Sequence, residues 1–456
     1  MTLENPPSAE SDDGNQETRK RRLTYALTTG VISKLLAVAV QGLALPLALK
    51  SLGTDRYAAF LALQALVAWS GLLALGLTPS LPRFISHAFI AKNQILQRDI
   101  FQTVIIYLGT ACALFASFML MLGQFVPPAK MVATHGVPAG QILSAYQAVI
   151  IVTSFQLLGS VMPSIRGGYQ ELHYSYTWAC LASVMVITIL HQAAADSLSI
   201  STFLIAIYGP LALLMLIDMI WIVIQRPYLL RGRAPLLQTG RLLAPQAGNA
   251  LAAQFSYFLV SFLPTLVVAH LANAQATASF GSVMQILVLL GSGMNLIYQP
   301  LVPAIANAYA HQDRAWVRVA YFRAAKLVGL ICCVGLVAAI YLGHALLQAW
   351  LGPNLIIPRM LPTIMGVYFT IWTVNIMHFN ILAATGNLSR VGWAYLIEGS
   401  FSVGLGAALT PFMGANGMAL GLVIGAASVN FWFLSIQVWR HVINSAAQRG
   451  VPSTTS

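Results

Sequence analysis

Residues 242–312 contain no Lys, Arg, Asp or Glu. A stretch of that length without formal charge cannot keep a face wet, because soluble domains carry about 25% charged residues. The rest of the chain has the same character: of 456 residues, 8% are charged and 58% are apolar. Five of the twelve acids (Glu4, Glu10, Asp12, Asp13 and Glu17) fall in the first 17 residues, leaving seven for everything that follows. The solvent of such a chain is mostly lipid, and only helices or closed barrels cross lipid. The net charge of +12, which in a soluble protein would suggest nucleic acid, is read here as a topology signal, and no nucleic-acid partner is expected. The fold predicted is an all-α polytopic membrane protein.

A spanning helix needs about 20 apolar residues. On that basis spans are predicted near residues 24–49, 57–79, 100–122, 142–165, 176–194 and 200–224. A second set follows near 246–269, 277–299, 326–348, 360–384, 392–412 and 416–438. The expected organisation is a disordered cytoplasmic tail (1–22), an N-terminal six-helix lobe (23–225), a basic cytoplasmic linker (226–245), a C-terminal six-helix lobe (246–438) and a cytoplasmic tail (439–456). The positive-inside bias supports this count. With the amino terminus cytoplasmic, nineteen of the 24 Lys and Arg fall on the cytoplasmic side. Lys50, Arg56, Lys130 and Arg359 fall on the other, and Lys34 lies inside a span.

No loop exceeds about 20 residues, too few for a separate catalytic domain, and a transporter is expected rather than an enzyme. Cys112, Cys180, Cys332 and Cys333 all sit in apolar runs with no ligand spacing, so neither disulfides nor a metal site is expected. No phosphate-loop, zinc or nucleophile-elbow pattern occurs, and no cofactor is expected.

The chain also repeats itself. Pro79-x-x-Pro82-x-x-Ile85-x-x-Ala88-Phe89 matches Pro300-x-x-Pro303-x-Ile305-x-x-Ala308-Tyr309 with a one-residue gap. Each follows a helix pair and precedes a short basic loop. Two copies of a six-helix unit in the same orientation make a parallel repeat, a plan common among alternating-access transporters. The two lobes are therefore expected to surround a central cavity.

Ionisable groups at membrane depth are costly and mark functional sites by default. Lys34 lies near mid-depth of the first span, in the stripe Gly30, Lys34, Ala37, Gln41, Ala44, Ala48 along one helical face. Such a small and polar face suits a water-filled interior, which makes Lys34 a cavity cation and Gln41 its neighbour; a Lys that snorkels to the interface is the competing reading. Asn249, Ala252 and Ser256 form a weaker version on the seventh helix. Arg56 and Arg83 flank the second helix, as cavity cations or topology anchors. Asp218 and Glu398 lie about two turns from Arg226 and Arg390, as ion-coupling acids or as members of structural ion pairs. Gln64, Gln285, Asn375, His378 and Asn430 are expected to hydrogen-bond between helices, and Gly417, Gly421 and Gly425 form a packing face.

Three segments carry a family resemblance. The run Leu45-Pro46-Leu47-Ala48-Leu49-Lys50-Ser51-Leu52-Gly53-Thr54-Asp55-Arg56-Tyr57-Ala58-Ala59-Phe60 resembles the first external turn of bacterial polysaccharide repeat-unit (Wzx-type) flippases. Gly76-Leu77-Thr78-Pro79-Ser80-Leu81-Pro82-Arg83-Phe84-Ile85-Ser86 and Pro411-Phe412-Met413-Gly414-Ala415-Asn416-Gly417-Met418-Ala419-Leu420-Gly421 are similar to further turns of that family. It belongs to the multidrug/oligosaccharidyl-lipid/polysaccharide exporter superfamily. The resemblance implies translocation of a polyprenyl-pyrophosphate-linked oligosaccharide across the bacterial cytoplasmic membrane, beside the polysaccharide polymerase machinery, for O-antigen or exopolysaccharide synthesis. Relatives often carry an acid midway along helix seven, where this chain reads Ser261-Phe262-Leu263-Pro264. The expected cavity is lined by helices one, two, seven and eight. The rival within the superfamily is a cation-coupled multidrug exporter, for which Asp218 and Glu398 would be the cavity acids. A membrane-embedded glycosyltransferase would need clustered external acids, and Asp55 and Asp196 serve that poorly.

Overall fold

A computed structural model describes residues 10–67, 81–132, 136–193, 198–232, 235, 238–240, 255–256, 258–353, 355–385 and 391–443. The first helix, α1 (Glu10–Val67), breaks at Gly53, whose φ of 72° lies where only glycine sits without strain. Then come α2 (Leu81–Ile90), α3 (Gln94–Phe125), the short α4 (Pro128–Val132), α5 (Ala139–Gly159), α6 (Met162–Gly168), α7 (Leu172–Ala193) and α8 (Ile200–Gln225). The second half holds α9 (Leu263–Leu271), α10 (Ala274–Ala310), α11 (Arg314–Tyr341), α12 (Gly343–Leu351) and α13 (Leu361–Ala384). It closes with α14 (Val391–Met413), α15 (Ala415–Ala426) and α16 (Trp432–Val438). No strand occurs among the described residues. There, ten helices are long and apolar enough to cross a membrane. Ten fits twelve predicted spans, because α1 runs through the first turn without ending and most of residues 241–257 lies outside the described residues.

The helices pack as two six-helix lobes. In the first, α5 packs on α8 and α3, and α7 on α8 and α1; in the second, α13 packs on α10, α11 and α15, and α14 on α15 and α9. The α14–α15 contact is the tightest. A Cβ on Gly421 would strike the Gly406 backbone and come within 2.8 Å of the Ser402 carbonyl oxygen. Contacts between lobes concentrate on α1, which meets α10, α9 and α12.

The duplicated motif recurs as geometry. After α2, the Lys92 amide donates to Phe89 O and the Asn93 amide to Ala88 O; after α10, Gln312 donates to Tyr309 O and Asp313 to Ala308 O. Both are Schellman turns, with a non-glycine residue at positive φ (Lys92, 52°; Gln312, 60°). In each, the next residue caps the following helix: Asn93 Oδ1 accepts from the Leu96 amide at 2.9 Å, and Asp313 Oδ1 from the Trp316 amide at 3.0 Å. Every atom in this correspondence is offset by 220 residues. Pro79, at the head of the first copy, lies outside the described residues.

Two sequence expectations need correction, and α1 begins at Glu10, within the segment expected as a tail. The helix that carries the ninth span starts at Arg314, ahead of the predicted apolar stretch from 326, and ends at Tyr341. Its first three turns carry the basic residues that composition assigns to a loop, and the helix simply extends beyond the apolar layer. The last helical stretch runs on through a π-turn to Ile443.

Candidate functional site

Two hydrogen bonds join the lobes at the end that bears Lys50, Arg56, Lys130 and Arg359, which we call the basic-poor end. Beyond Gly53, residues 57–63 of α1 are buried on every side, as a helix inserted between two lobes must be. The Tyr57 hydroxyl meets Ser282 Oγ of α10 at 2.8 Å, both groups being buried. Gly281 makes this approach possible: a Cβ there would sit 2.9 Å from Leu61. On the other arm of α1, Pro46 has no N–H to give the Gly42 carbonyl one turn back. The Trp350 indole Nε1–H of α12 donates to that carbonyl instead, at 2.9 Å across the lobe boundary.

Beneath this seal lies a cavity of about 230 Å³. Ser33, Ala37, Gln41 and Ala44 of α1 form one wall, and Phe60 and Gln64 of its second arm another. Ala179, Ala182 and Ser183 of α7 and Tyr208 of α8 complete the N-terminal lobe's share, and Gln285 of α10 enters from the other lobe. No Asp or Glu lines it among the described residues. The amide oxygens Gln41 Oε1 and Gln64 Oε1 are buried without a hydrogen-bond partner, while the Tyr208 hydroxyl is bonded to the Gln64 side chain. Among the described residues the lining is therefore uncharged and polar, with the hydroxyls of Ser33, Ser183 and Tyr208 beside three glutamine amides.

Of the residues singled out in sequence, Gln41 lines this cavity. Lys34 lies seven residues before it on α1, about 10 Å away at 1.5 Å per residue and on the same helix face. Lys34 is half-buried and has no ion-pair partner among the described residues. Arg56 is half-buried beside the Gly53 turn and Arg83 is exposed on α2; neither lines the cavity. Ser256 is spent on packing, its hydroxyl donating to Tyr395 O at 2.6 Å. Asn249 lies outside the described residues. Of the helices expected to line it, the first, second and eighth contribute residues; α7 and α8, the fifth and sixth spans, contribute as well, and most of the seventh span lies outside the described residues. Gln64 and Gln285 were legible only as polar residues expected to bond between helices, and Tyr208 was not singled out.

Asp218 belongs to a different structure. Its Oδ1 accepts from Arg166 Nε at 3.0 Å and Nη2 at 2.7 Å, and Arg166 is fully buried. Arg166 Nη1 also reaches Glu171 at 2.9 Å and Gln225 at 2.9 Å, and its guanidinium lies over the Tyr174 ring. Arg226, the partner expected for Asp218, binds Glu171 at 2.6 Å and stacks over Tyr169. Burial raises the Tyr169 hydroxyl above its ordinary range, so it stays a neutral donor to Gln97. The network ties the ends of α6, α7 and α8 together, and Asp218 is its buried partner for Arg166.

Among the described residues Glu398 has no ion-pair partner. It is 2% exposed and accepts from Asn430 Nδ2. Asn430 sits on a π-turn (Ala427–Phe431), a helix irregularity frequent at functional sites. Buried polar atoms without partners are found nearby in sequence and packing: Asn430 Oδ1, Ser402 Oγ and both side-chain atoms of Asn375. Tyr395, one turn before Glu398, donates to Asn375 O at 3.2 Å. Arg390, the cation expected beside Glu398, lies outside the described residues.

Neither a protein-family model nor a curated protein sequence matches the chain. Solved structures do resemble it. An inward-facing multidrug-resistance MATE transporter of the MOP superfamily matches over 93% of this chain and all of its own, at 13% identity and a TM-score of 0.72. The lipid II flippase MurJ in an inward closed conformation matches over 91% of this chain and 87% of its own, at 13% identity and a TM-score of 0.63. A MOP superfamily transporter from Pyrococcus furiosus, described as having a binding pocket of reverse polarity, matches over 92% and 96%, at 13% identity and a TM-score of 0.61. These likenesses show that the chain shares the fold of those proteins.

Proposed function

We propose that this chain is a flippase. It moves a polyprenyl-pyrophosphate-linked oligosaccharide repeat unit from the cytoplasmic to the outer leaflet of a bacterial inner membrane, by alternating access, for surface polysaccharide synthesis. The observation that carries this reading is the pairing of an acid-free cavity with an unpaired, half-buried Lys34 on the same face of α1. A cation about 4 Å from a phosphate gains about 4 kcal/mol at an effective dielectric near 20, against about 1 kcal/mol in bulk water. Sugar hydroxyls meet the glutamine amides while the lipid tail stays in the bilayer. Among proteins of this fold are a lipid II flippase and a transporter described as having a binding pocket of reverse polarity, and the first supports a flippase reading. With the basic loops placed in the cytoplasm, the seal at Tyr57 and Trp350 closes the outer side, in keeping with the inward-facing MATE structure's likeness. Glu398, with its unsatisfied neighbours, serves as the ion-coupling acid. A multidrug exporter for cations would instead want acids in the cavity.

Deleting the gene and analysing lipid-linked oligosaccharides by leaflet, beside a drug-susceptibility panel, tests this. Repeat units should accumulate on the cytoplasmic leaflet, Lys34→Ala should fail to restore export, and Lys34→Arg should restore part of it. A change confined to drug sensitivity, or full activity of Lys34→Ala, removes the proposal.

A further inference from the structure

At the end opposite the seal, the hairpin of α10 and α11 opens into a groove of about 790 Å³ that shares no lining residue with the cavity described above. Its cause is local. The Schellman turn at Gln312 holds the two helices together at one end. Beyond it α11 places the small side chains of Ala320 and Ala324 in the lining, where larger residues would fill the gap. Ile297 and Leu301 of α10 make one apolar wall, and Trp316, Val319 and Leu327 of α11 the other. Val319 and Leu327 are also exposed.

Charge at this groove is one-sided. Arg314, Arg318, Arg323 and Lys326 lie on the first half of α11, a helix without an acid, and residues 242–312 carry no formal charge. The acid in the lining is Asp313, which caps α11 by accepting from the Trp316 amide. Arg323 enters the same lining about 15 Å further along the helix, and Lys326 follows a turn later. Both cations are exposed, and neither has an ion-pair partner among the described residues. Lys326 stands where the apolar stretch of α11 begins, so the two cations meet the level of lipid phosphates and Leu327 the level of acyl chains. Basic pockets between spanning helices on the cytoplasmic side suit anionic headgroups. A soluble anion would leave the apolar walls bare, and a neutral lipid would leave the cations unpaired. The space is within the roughly 300–1,000 Å³ usual for ligand sites.

We propose that this groove binds an anionic glycerophospholipid of the cytoplasmic leaflet, its phosphate on Arg323 and Lys326 and one acyl chain along Ile297, Leu301 and Leu327. The site is distinct from that of the proposed cargo and does not rest on it.

The test titrates the full chain in detergent micelles with phosphatidylglycerol, phosphatidylcholine or undecaprenyl phosphate, and reads the dissociation constant of the first bound lipid by native mass spectrometry. Each basic residue beside an anionic lipid is worth about fivefold in affinity, so phosphatidylglycerol should bind about fivefold tighter than phosphatidylcholine or more. Arg323→Gln/Lys326→Gln should erase that preference; if the double variant does not fold, each single variant is read by the same criterion. Val319→Trp keeps every charge and fills the groove from an exposed position, and should weaken phosphatidylglycerol as much. Lys92→Gln, the same loss of charge at the matching exposed turn of the other lobe, should leave binding unchanged. Equal constants for the two phospholipids overturn the proposal, as does full binding in either groove variant. An equal loss in Lys92→Gln overturns it in favour of a diffuse charge effect. Displacement of phosphatidylglycerol by equimolar undecaprenyl phosphate also overturns it and gives the groove to a polyprenyl carrier. None of these readings depends on the leaflet assay, which tests the cargo alone.

Discussion

Trp350→Phe should loosen the basic-poor seal by an amount set by one hydrogen bond. Pro46 leaves the Gly42 carbonyl without a helical donor, and Trp350 Nε1 fills that place from the other lobe at 2.9 Å. A neutral hydrogen bond contributes about 0.5–1.5 kcal/mol net. Because the bond exists only while the lobes meet here, its loss shifts the closed-to-open ratio by that amount, roughly two- to tenfold. Phenylalanine keeps most of the ring packing and removes the donor. Spin labels at Lys50→Cys and Arg359→Cys, both exposed and one on each lobe, report the separation by pulsed electron paramagnetic resonance once the four native cysteines are replaced. The longer-distance fraction should rise two- to tenfold in Trp350→Phe. Pro46→Ala supplies the control, since it restores a backbone N–H that can bond the Gly42 carbonyl within the helix. In that background Trp350→Phe should shift the ratio little, giving a coupling energy of about 0.5 kcal/mol or more in a double-mutant cycle. A shift of the same size with and without Pro46, or no shift at all, refutes the assignment.

Arg166→Met should destabilise the detergent-purified protein by about 3–5 kcal/mol, because it leaves Asp218 buried and uncompensated. Adding Asp218→Leu should recover most of that in a denaturant melt; full stability together with lost export in Asp218→Asn would return Asp218 to a coupling role. Gly421→Leu should abolish folding or cost more than about 3 kcal/mol by overpacking against Gly406 and Ser402. Gly404→Leu, on the same α14 but with nothing within 4 Å of its Cβ position, should be tolerated, and equal losses would mean the α14–α15 contact is misassigned. Glu398→Gln should uncouple export from an imposed ion gradient while leaving expression and the thermal midpoint near wild type; coupled export in that variant would clear Glu398 of the role.

What the sequence disclosed follows from which interactions are local. Charge-free runs and the side on which Lys and Arg fall are properties of the chain read in order, so the span count and lobe division were legible. The stripe on α1 was legible too, because helical spacing fixes which residues share a face; it delivered Gln41, Ala37 and Ala44 to the cavity wall. Asp218 was not, since the nearest cation in sequence, Arg226, is not its partner. Arg166, 52 residues away, comes to it only once α6 packs on α8. The other walls of the cavity were hidden for a similar reason: Ala179, Ala182 and Ser183 look like ordinary small residues until α7 is laid against α1. The start of α11 was misjudged because helix and membrane boundaries differ, and composition registers only the second.

The position of Gln285 links what the cavity holds to what the lobes do. It lies three residues, or about one turn, beyond Ser282 on α10, while Gln64 lies two turns beyond Tyr57 on α1. Opening the basic-poor end must part Tyr57 from Ser282, and a rigid α10 then carries Gln285 away from Gln64. A ligand shifts a conformational equilibrium only by the difference in its affinity for the two states. An occupant that touches Gln64 alone would ride along without influence; one that also touches Gln285 holds the seal shut until that contact is given up. The seal and the cavity are therefore one device: the smaller the occupant's hold on Gln285, the more readily the outer side opens. Gln285→Ala should raise the open fraction of the loaded protein while leaving that of the empty protein unchanged, measured with the same Lys50 and Arg359 labels; an equal rise in both would show that α10 moves without regard to what the cavity contains.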